Sequence, residues 1–283
     1  MTAHSNATLY RACRSLCQPF STASYSTIPS VTTELQYKQL SPVLVVGLGN
    51  FTYPTTRHSV GMILLDQLLS HFGKPSLQWK TDRSMGGWTA EIQIDSTMPW
   101  VARCLQTTNA SRKKPSTPSQ RSSTPVSPMS NTHRTIHSPI QSNPADIHTD
   151  NPWKRTITLL KPAALMNISG ISVLKAIKKL HLKPSDCIII HDDIDRKFGT
   201  ISLKTGGSAN GHNGIKSVMS SMASDAFLRL RVGVGRPENK AHVARFVLEP
   251  FDSIEQVALH DSVAPLVHST LFKTLSQDSI LPK

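Results

Sequence analysis

The chain has 283 residues, 38% of them apolar, and a formal net charge of +13. That apolar share permits a real core in one large domain or two small ones. No apolar run approaches the roughly 20 residues a membrane-spanning helix needs, and Cys13, Cys17, Cys104 and Cys187 form no CxxC pair and no metal-ligand spacing, which fits a reducing compartment.

Residues 1–33 carry Arg11 and Arg14, many Ser and Thr, and no acid before Glu34. That is the composition of a mitochondrial or plastid targeting peptide, or else of a disordered cytoplasmic tail, and residues 1–40 are set aside as such. VLVVGLG (43–49) is an apolar run of buried-strand length, and Leu64, Leu65, Leu68, Leu69 and Phe72 recur at helical spacing after His58. WTAEIQI (88–94) and TITLLKP (156–162) read as strands. Between them, residues 107–152 are rich in Ser, Thr, Pro and Asn, which cannot bury enough surface to offset ordering entropy, so a disordered surface loop is expected inside one domain.

Ile168 to Leu180 predicts a second helix, stopped by Leu182, Lys183 and Pro184. CIII (187–190) reads as a buried strand and TISLK (200–204) as a more exposed one. Ile215, Val218, Met219 and Met222 stripe a third helix, LRLRVGVG (228–235) is another strand, and a terminal helix follows Asp252. Strands interleaved with helices predict a layered α/β domain over residues 41–275 with a largely parallel sheet, and a short tail at 276–283.

Five runs at element edges carry polar groups. GLGN (47–50) lacks a dinucleotide fingerprint, because the third glycine of GxGxxG would fall at Thr52; Asn50 instead sits past a strand's carboxyl end, where open α/β sheets bind ligands. His58 opens a helix, whose positive end disfavours imidazolium and predicts a neutral ring able to accept a proton. HDDID (191–195) places Asp192 and Asp193 at a strand end, pointing to opposite faces, so that one can orient a histidine. Two alternatives stand beside that reading: a solvated turn, and a metal site from His191, Asp192, Asp193 and Asp195.

GGSANGHNG (206–214) opens a helix, so its backbone N–H groups can face an anion while Asn213 donates to a developing oxyanion. It is no P-loop, lacking Lys and Ser or Thr after the last glycine. Asn167 reads equally as a ligand group or as a helix cap. More than half of the positive excess lies in residues 153–283, which carry the last two runs. A polyanion, nucleic acid first, is therefore the expected partner. Lys204, Arg229 and Arg231 on flanking strands, with Lys216, bracket the presumed pocket and suit phosphate contacts.

With these runs in order, the stretch from about Val43 to Phe246, less the insert, resembles the bacterial-type peptidyl-tRNA hydrolases. The most specific elements are TRHSVG, LLKPAALMNISG, HDDID, GGSANGHNG and LRLRVGVG; the insert suggests a eukaryotic, fungal or organellar member. The resemblance implies one domain around a twisted, mixed and mostly parallel sheet flanked by helices. It implies hydrolysis of the ester of peptidyl-tRNA, freeing peptide and recyclable tRNA, with His58 as the base that activates water and Asp192 orienting it. Asn50, Asn167 and Asn213 match asparagines that hold the peptide and stabilise the tetrahedral intermediate, Tyr53 a tyrosine lining that cleft, and Lys204 and Arg231 a basic pair that clamps a tRNA phosphate. It also implies a monomer that needs no metal or other cofactor and no membrane. A catalytically weak RNA-binding relative is the alternative.

The chain departs from the family pattern in three places. Only Phe51 and Thr52 separate Asn50 from Tyr53, so the usual Pro-Gly turn is absent; Ser59 replaces the asparagine after the histidine; and Asn210 stands where glycine is common.

Overall fold

A run of β-branched and aliphatic residues buried on both sides needs cover on both sides, and two such runs form the centre of this molecule. The computed structural model describes residues 36–72, 77–99, 101 and 152–281; residues 1–35, and the insert apart from Pro152, lie outside the described residues. β1 is Lys38–Gln39 and β2 Val43–Gly47. A 3-10 turn, Arg57–Ser59, leads into α1, Val60–His71. β3 (Lys80–Asp82), β4 (Gly87–Asp95) and β5 (Trp153–Pro162) follow, then a 3-10 turn at Met166–Ile168 and α2, Gly170–Lys179. β6 is Cys187–Asp193, β7 Ile201–Thr205, α3 Asn213–Met222 and β8 Leu228–Gly233. The chain closes through α4 (Val243–Leu248), α5 (Ser253–Ala258), a π-helical turn (Leu259–Val263) and α6 (Ala264–Leu275).

These residues make one eight-stranded sheet of order β3-β4-β5-β2-β6-β8-β7, with β1 extending the sheet alongside β5. The pairs β1/β5, β2/β5, β2/β6 and β6/β8 are parallel, and β3/β4, β4/β5 and β7/β8 antiparallel. The sheet is thus mixed, parallel at its centre.

Alternation along the central strands divides the core in two. Val43 and Val45 of β2, with Ile188 and Ile190 of β6, face α1 and α6; Leu44 and Val46, with Cys187 and Ile189, face α2 and α3. Leu64, Leu65 and Leu68 on the inner stripe of α1 are each at most 1% exposed, and each stabilises the fold by about 1.5–3 kcal/mol. Burial of Cys187 pushes its thiol well above the ordinary range, so it is an inert packing residue.

Glycine lets α1 approach the sheet at backbone distance. A Cβ on Gly61 would lie 2.3 Å from the Ile190 carbonyl oxygen, and one on Gly47 would lie 2.3 Å from that of Gly61. The turn before α1 therefore sits over the carboxyl ends of β2 and β6. At β2 the chain order also reverses, since β5 lies on one side and β6 on the other, which is where open α/β sheets form their ligand crevice.

Three expectations need correction. Within the supposed leading tail, Lys38 and Gln39 pair with Trp153 and Lys154, and Leu40 is buried; strand addition uses backbone groups, so two polar side chains gave no warning. The supposed closing tail is also tied down, because Arg155 donates to the Gln277 carbonyl at 2.8 Å and the Asp278 carbonyl at 3.2 Å, and Ile280 is buried. The single terminal helix is three segments, with Pro265 in the first turn of α6. None of the described helices is long and apolar enough to cross a membrane.

Candidate active site

Asp192 leaves the end of β6 with its side chain 3% exposed, between two imidazoles. Its Oδ1 and Oδ2 lie 2.9 and 3.0 Å from His58 Nδ1, and Oδ1 lies 2.9 Å from His212 Nε2. The His58 and His212 rings are 4.8 Å apart. A carboxylate only accepts, so each facing nitrogen carries a proton. His212 is fixed independently: as the N-cap of α3 its Nδ1 accepts from Ile215 N–H at 3.2 Å, leaving Nε2 as the donor to Asp192. His58 donates through Nδ1, so its Nε2 has the free lone pair.

The electrostatics follow from that arrangement. Burial pushes the Asp192 pKa up, but the charges of His212 and His58 and their hydrogen bonds outweigh it and hold the group well below the usual carboxylate range. Burial pushes His58 down, but the Asp192 charge and hydrogen bond together outweigh it and raise the ring above 6.5. The start of a helix alone predicted the opposite direction. A helix dipole acts at about 0.3–1 kcal/mol, whereas here a full carboxylate stands 2.9 Å away.

The other acids of HDDID diverge, as extended backbone requires. Asp193 takes Arg231 and Arg196, each at 3.3 Å, and Asp195 takes Arg236 at 3.2 Å. His191 donates from Nδ1 to the Asp192 carbonyl at 2.6 Å, and burial drives its pKa down to about 3, so it stays neutral. The metal set His191, Asp192, Asp193 and Asp195 is therefore not brought together. The ligand cluster that does converge among the described residues is His58, Asp192 and His212, whose donor atoms lie within 4.8 Å of one another. A metal on His212 Nε2 would move that proton to Nδ1, which already faces the Ile215 N–H. The cluster suits hydrogen bonding better than coordination.

His58, Asp192, His212 and Asn213 border a cleft of about 460 Å3. Arg229, Arg231 and Arg236 line it too, and one stretch of its lining is apolar: Ala241, Val243, Ala244 and Val247, the last three from α4. A second cleft of about 450 Å3 meets the first at Asn213 and holds Asn167, Ile168, Ile171 and Lys216. Asn167 is exposed in the turn before α2 and gives that helix no side-chain cap, so the capping reading does not hold.

The glycine-rich loop carrying His212 and Asn213 is held from beneath. Arg229, which the sequence placed among phosphate ligands, is 2% exposed and turned inward; it donates to the carbonyls of Ser208 and Gly207 at 2.9 Å and to that of Gly206. The Gly207 N–H donates to Asp225 at 2.6 Å. Asn210 has φ 48, a left-handed conformation that asparagine tolerates better than most residues, which explains how it stands in for glycine. Lys204 pairs in register with Arg229 and Ser202 with Arg231 across β7 and β8, so Lys204 and Arg231 share one face of the sheet.

Asn50 and Tyr53 line neither cleft. Asn50 is buried, its amide oxygen accepting from Thr52 Oγ1 at 2.8 Å; Tyr53 is 56% exposed. The shortened segment is fastened to the base-bearing turn by Ser59, whose Oγ accepts from Asn50 N–H at 3.0 Å and donates to the Tyr53 carbonyl at 2.8 Å. Sequence reasoning missed His212. The available signal was its place directly before Asn213, at a helix start where Ser, Thr, Asp or Asn is the ordinary cap.

A protein-family model described as "Peptidyl-tRNA hydrolase" matches residues 128–280. A peptidyl-tRNA hydrolase of Mycobacterium sp. (strain KMS) is 33% identical over 217 residues, which is 76% of this chain and 81% of that protein. One of Mycolicibacterium gilvum (strain PYR-GCK) is 32% identical over 220 residues, 77% of this chain and 83% of the relative. Among solved structures, the crystal structure of peptidyl-tRNA hydrolase from Acinetobacter baumannii superimposes with a TM-score of 0.55 at 25% identity, covering 84% of this chain and 92% of that one.

Proposed function

Since the chain belongs to the peptidyl-tRNA hydrolase family, we propose that it cleaves the ester joining a peptide to the terminal ribose of tRNA by water that His58 activates. One observation carries the mechanism: His58 Nδ1 lies 2.9 and 3.0 Å from the two oxygens of buried Asp192, which turns a basic Nε2 away from the carboxylate. Nε2 takes a proton from water as the oxygen attacks the ester carbonyl. Asp192 stabilises the imidazolium. Asn213, at the junction of the two clefts, and nearby loop N–H groups supply donors for the oxyanion. The tetrahedral intermediate then expels the ribose oxygen, which takes the proton from His58, leaving a peptide acid and a free tRNA hydroxyl.

Asn167 and Asn213 face the second cleft and suit a neutral peptide backbone, whereas Asn50 and Tyr53 line neither cleft and act through the turn that carries His58, to which Ser59 fastens them. Lys204 and Arg231 share a sheet face and suit a tRNA phosphate. A charged α-amine cannot reproduce a neutral amide's bonding to these carboxamides, which favours the peptidyl ester. Purified protein given N-blocked aminoacyl-tRNA and the unblocked form should release amino acid from the blocked ester only; equal release from both would overturn the assignment. Residues 1–33 carry the composition of a mitochondrial leader, and a fluorescent fusion of residues 1–40 that stays cytoplasmic would remove that part of the reading.

A further inference from the structure

Arg57 stands directly before the base, yet its side chain turns away from the cleft and is only 9% exposed. Among the described residues, its side-chain partners lie between Phe246 and Glu255, on and directly after the helix that lines the cleft. Its Nη1 donates to the Pro250 carbonyl at 2.7 Å and its Nη2 to Glu255 Oε2 at 2.5 Å. Its guanidinium lies over the Phe246 ring at 4.4 Å and the Phe251 ring at 5.4 Å. The backbone repeats the link, since Arg57 N–H donates to the Glu249 carbonyl at 3.1 Å and Thr56 forms an isolated β-bridge with Pro250.

Glu255 is fixed in turn. The Oε2 that receives Arg57 also accepts the Asp252 N–H at 2.9 Å, closing a capping box at the start of α5. The planar fork of arginine, ion-paired and stacked at once, is not replaced by a lysine point charge. Phe246 sits on α4, the same short helix that supplies Val243, Ala244 and Val247 to the cleft. One guanidinium thus ties the turn that bears the base to the helix that lines the same cleft.

We propose that Arg57 and Glu255 are positioning residues for the hydrolysis, a brace that sets the α4 wall at a fixed distance from His58. The inference rests on His58 being the base. Neither residue touches the substrate; the brace holds the ester carbonyl, pressed from the wall, within attack distance of the water on His58. A displacement of about 1 Å at a reacting centre can lower a rate roughly 100-fold.

Glu255→Gln removes the charge and keeps the shape, and Phe246→Leu removes one stacked face without touching the ion pair. Both are assayed for kcat and KM on N-blocked aminoacyl-tRNA, at a temperature where melting shows each protein fully folded, beside Arg57→Lys. The brace predicts that kcat falls about 10-fold or more in Glu255→Gln and Arg57→Lys, and less in Phe246→Leu, while KM stays within about twofold. A purely structural role would lower the melting temperature and leave kcat per folded molecule unchanged, and that result overturns the proposal. If Glu255→Gln does not fold, an unchanged kcat in folded Phe246→Leu and Arg57→Lys overturns it equally. His58→Ala separates the two claims: loss of activity there with a normal kcat in the brace variants removes the brace alone, whereas a normal rate in His58→Ala removes the base beneath it.

Discussion

Replacing Asp192 with Asn tests the site through the proton positions deduced for it. His212 must present Nε2–H, because Ile215 N–H occupies its Nδ1. It therefore holds the amide oxygen where Oδ1 now stands, 2.9 Å away. The amide oxygen there still lies 2.9 Å from His58 Nδ1, but the amide NH2, in the place of Oδ2, lies 3.0 Å from the same nitrogen and meets the proton it bears. His58 relieves that clash by moving its proton to Nε2, the atom that must accept from water. A wrong-tautomer histidine of this kind lowers kcat by roughly 10,000-fold in the serine-protease precedent, about 5.5 kcal/mol of transition-state stabilisation.

The pH profile supplies a second readout of the same variant. With Asp192 present the His58 pKa is raised above 6.5, so activity should fall as pH drops through a midpoint above that value. In Asp192→Asn the attraction is lost and burial alone remains, so the residual activity should titrate below 6.5. Adding His212→Ala frees the amide to rotate and should recover part of the lost kcat. Stopped-time hydrolysis of N-blocked aminoacyl-tRNA from pH 5 to 9, in about half-unit steps, measures all three. A loss under about 10-fold, or an acid limb that stays in place, would refute the reasoning.

Other substitutions separate roles that the sequence could not distinguish. Lys204→Ala should raise KM with little change in kcat and lower the salt slope of log kcat/KM by about 0.7–0.9, measured across a salt series; an unchanged slope contradicts a phosphate contact. Arg229→Ala removes the support of the loop bearing His212 and Asn213, so kcat should fall roughly 10- to 100-fold, and a pure KM effect like that of Lys204→Ala would contradict its inward role. His268 lies buried beneath α1, its ring nitrogen 3.4 Å from the Leu64 carbonyl, and burial lowers its pKa to about 4. The unfolded chain binds that proton below 6.5 and the folded one does not, so stability falls as pH drops from 6.5 to about 4, by at most about 3 kcal/mol. His268→Leu should flatten the unfolding free energy across that window in denaturant titrations, and an unaltered pH dependence would show that the ring is not held neutral.

The sheet was legible because its signal is local. Val43–Gly47 and the CIII run that opens Cys187–Asp193 are continuous apolar runs before polar residues, and the leucines of α1 recur at one spacing, so hydrophobicity alone located both core layers. Elements defined by backbone pairing were not legible: Lys38–Gln39 and Lys80–Asp82 are short and polar, and six-residue α4 carries no stripe. The site divides in the same way. His58, Asp192 and Asn213 stand in runs whose chemistry is explicit, but the tautomer of His212 depends on a capping bond three residues on. Arg57 and Glu255 are 198 residues apart. The inward turn of Arg229 shows the converse error, since a positive charge counted toward tRNA is consumed by three carbonyls of the glycine-rich loop above it.

The proposed hydrolysis depends most on His58 as the base. Single-turnover release of amino acid from N-blocked aminoacyl-tRNA, with enzyme in excess and at saturation, measures the chemical step without product release. His58→Ala should bind the tRNA with the wild-type dissociation constant and cleave it at least about 1,000-fold more slowly, the scale set by losing a base held by a carboxylate. Cleavage by His58→Ala at the wild-type rate would contradict the account.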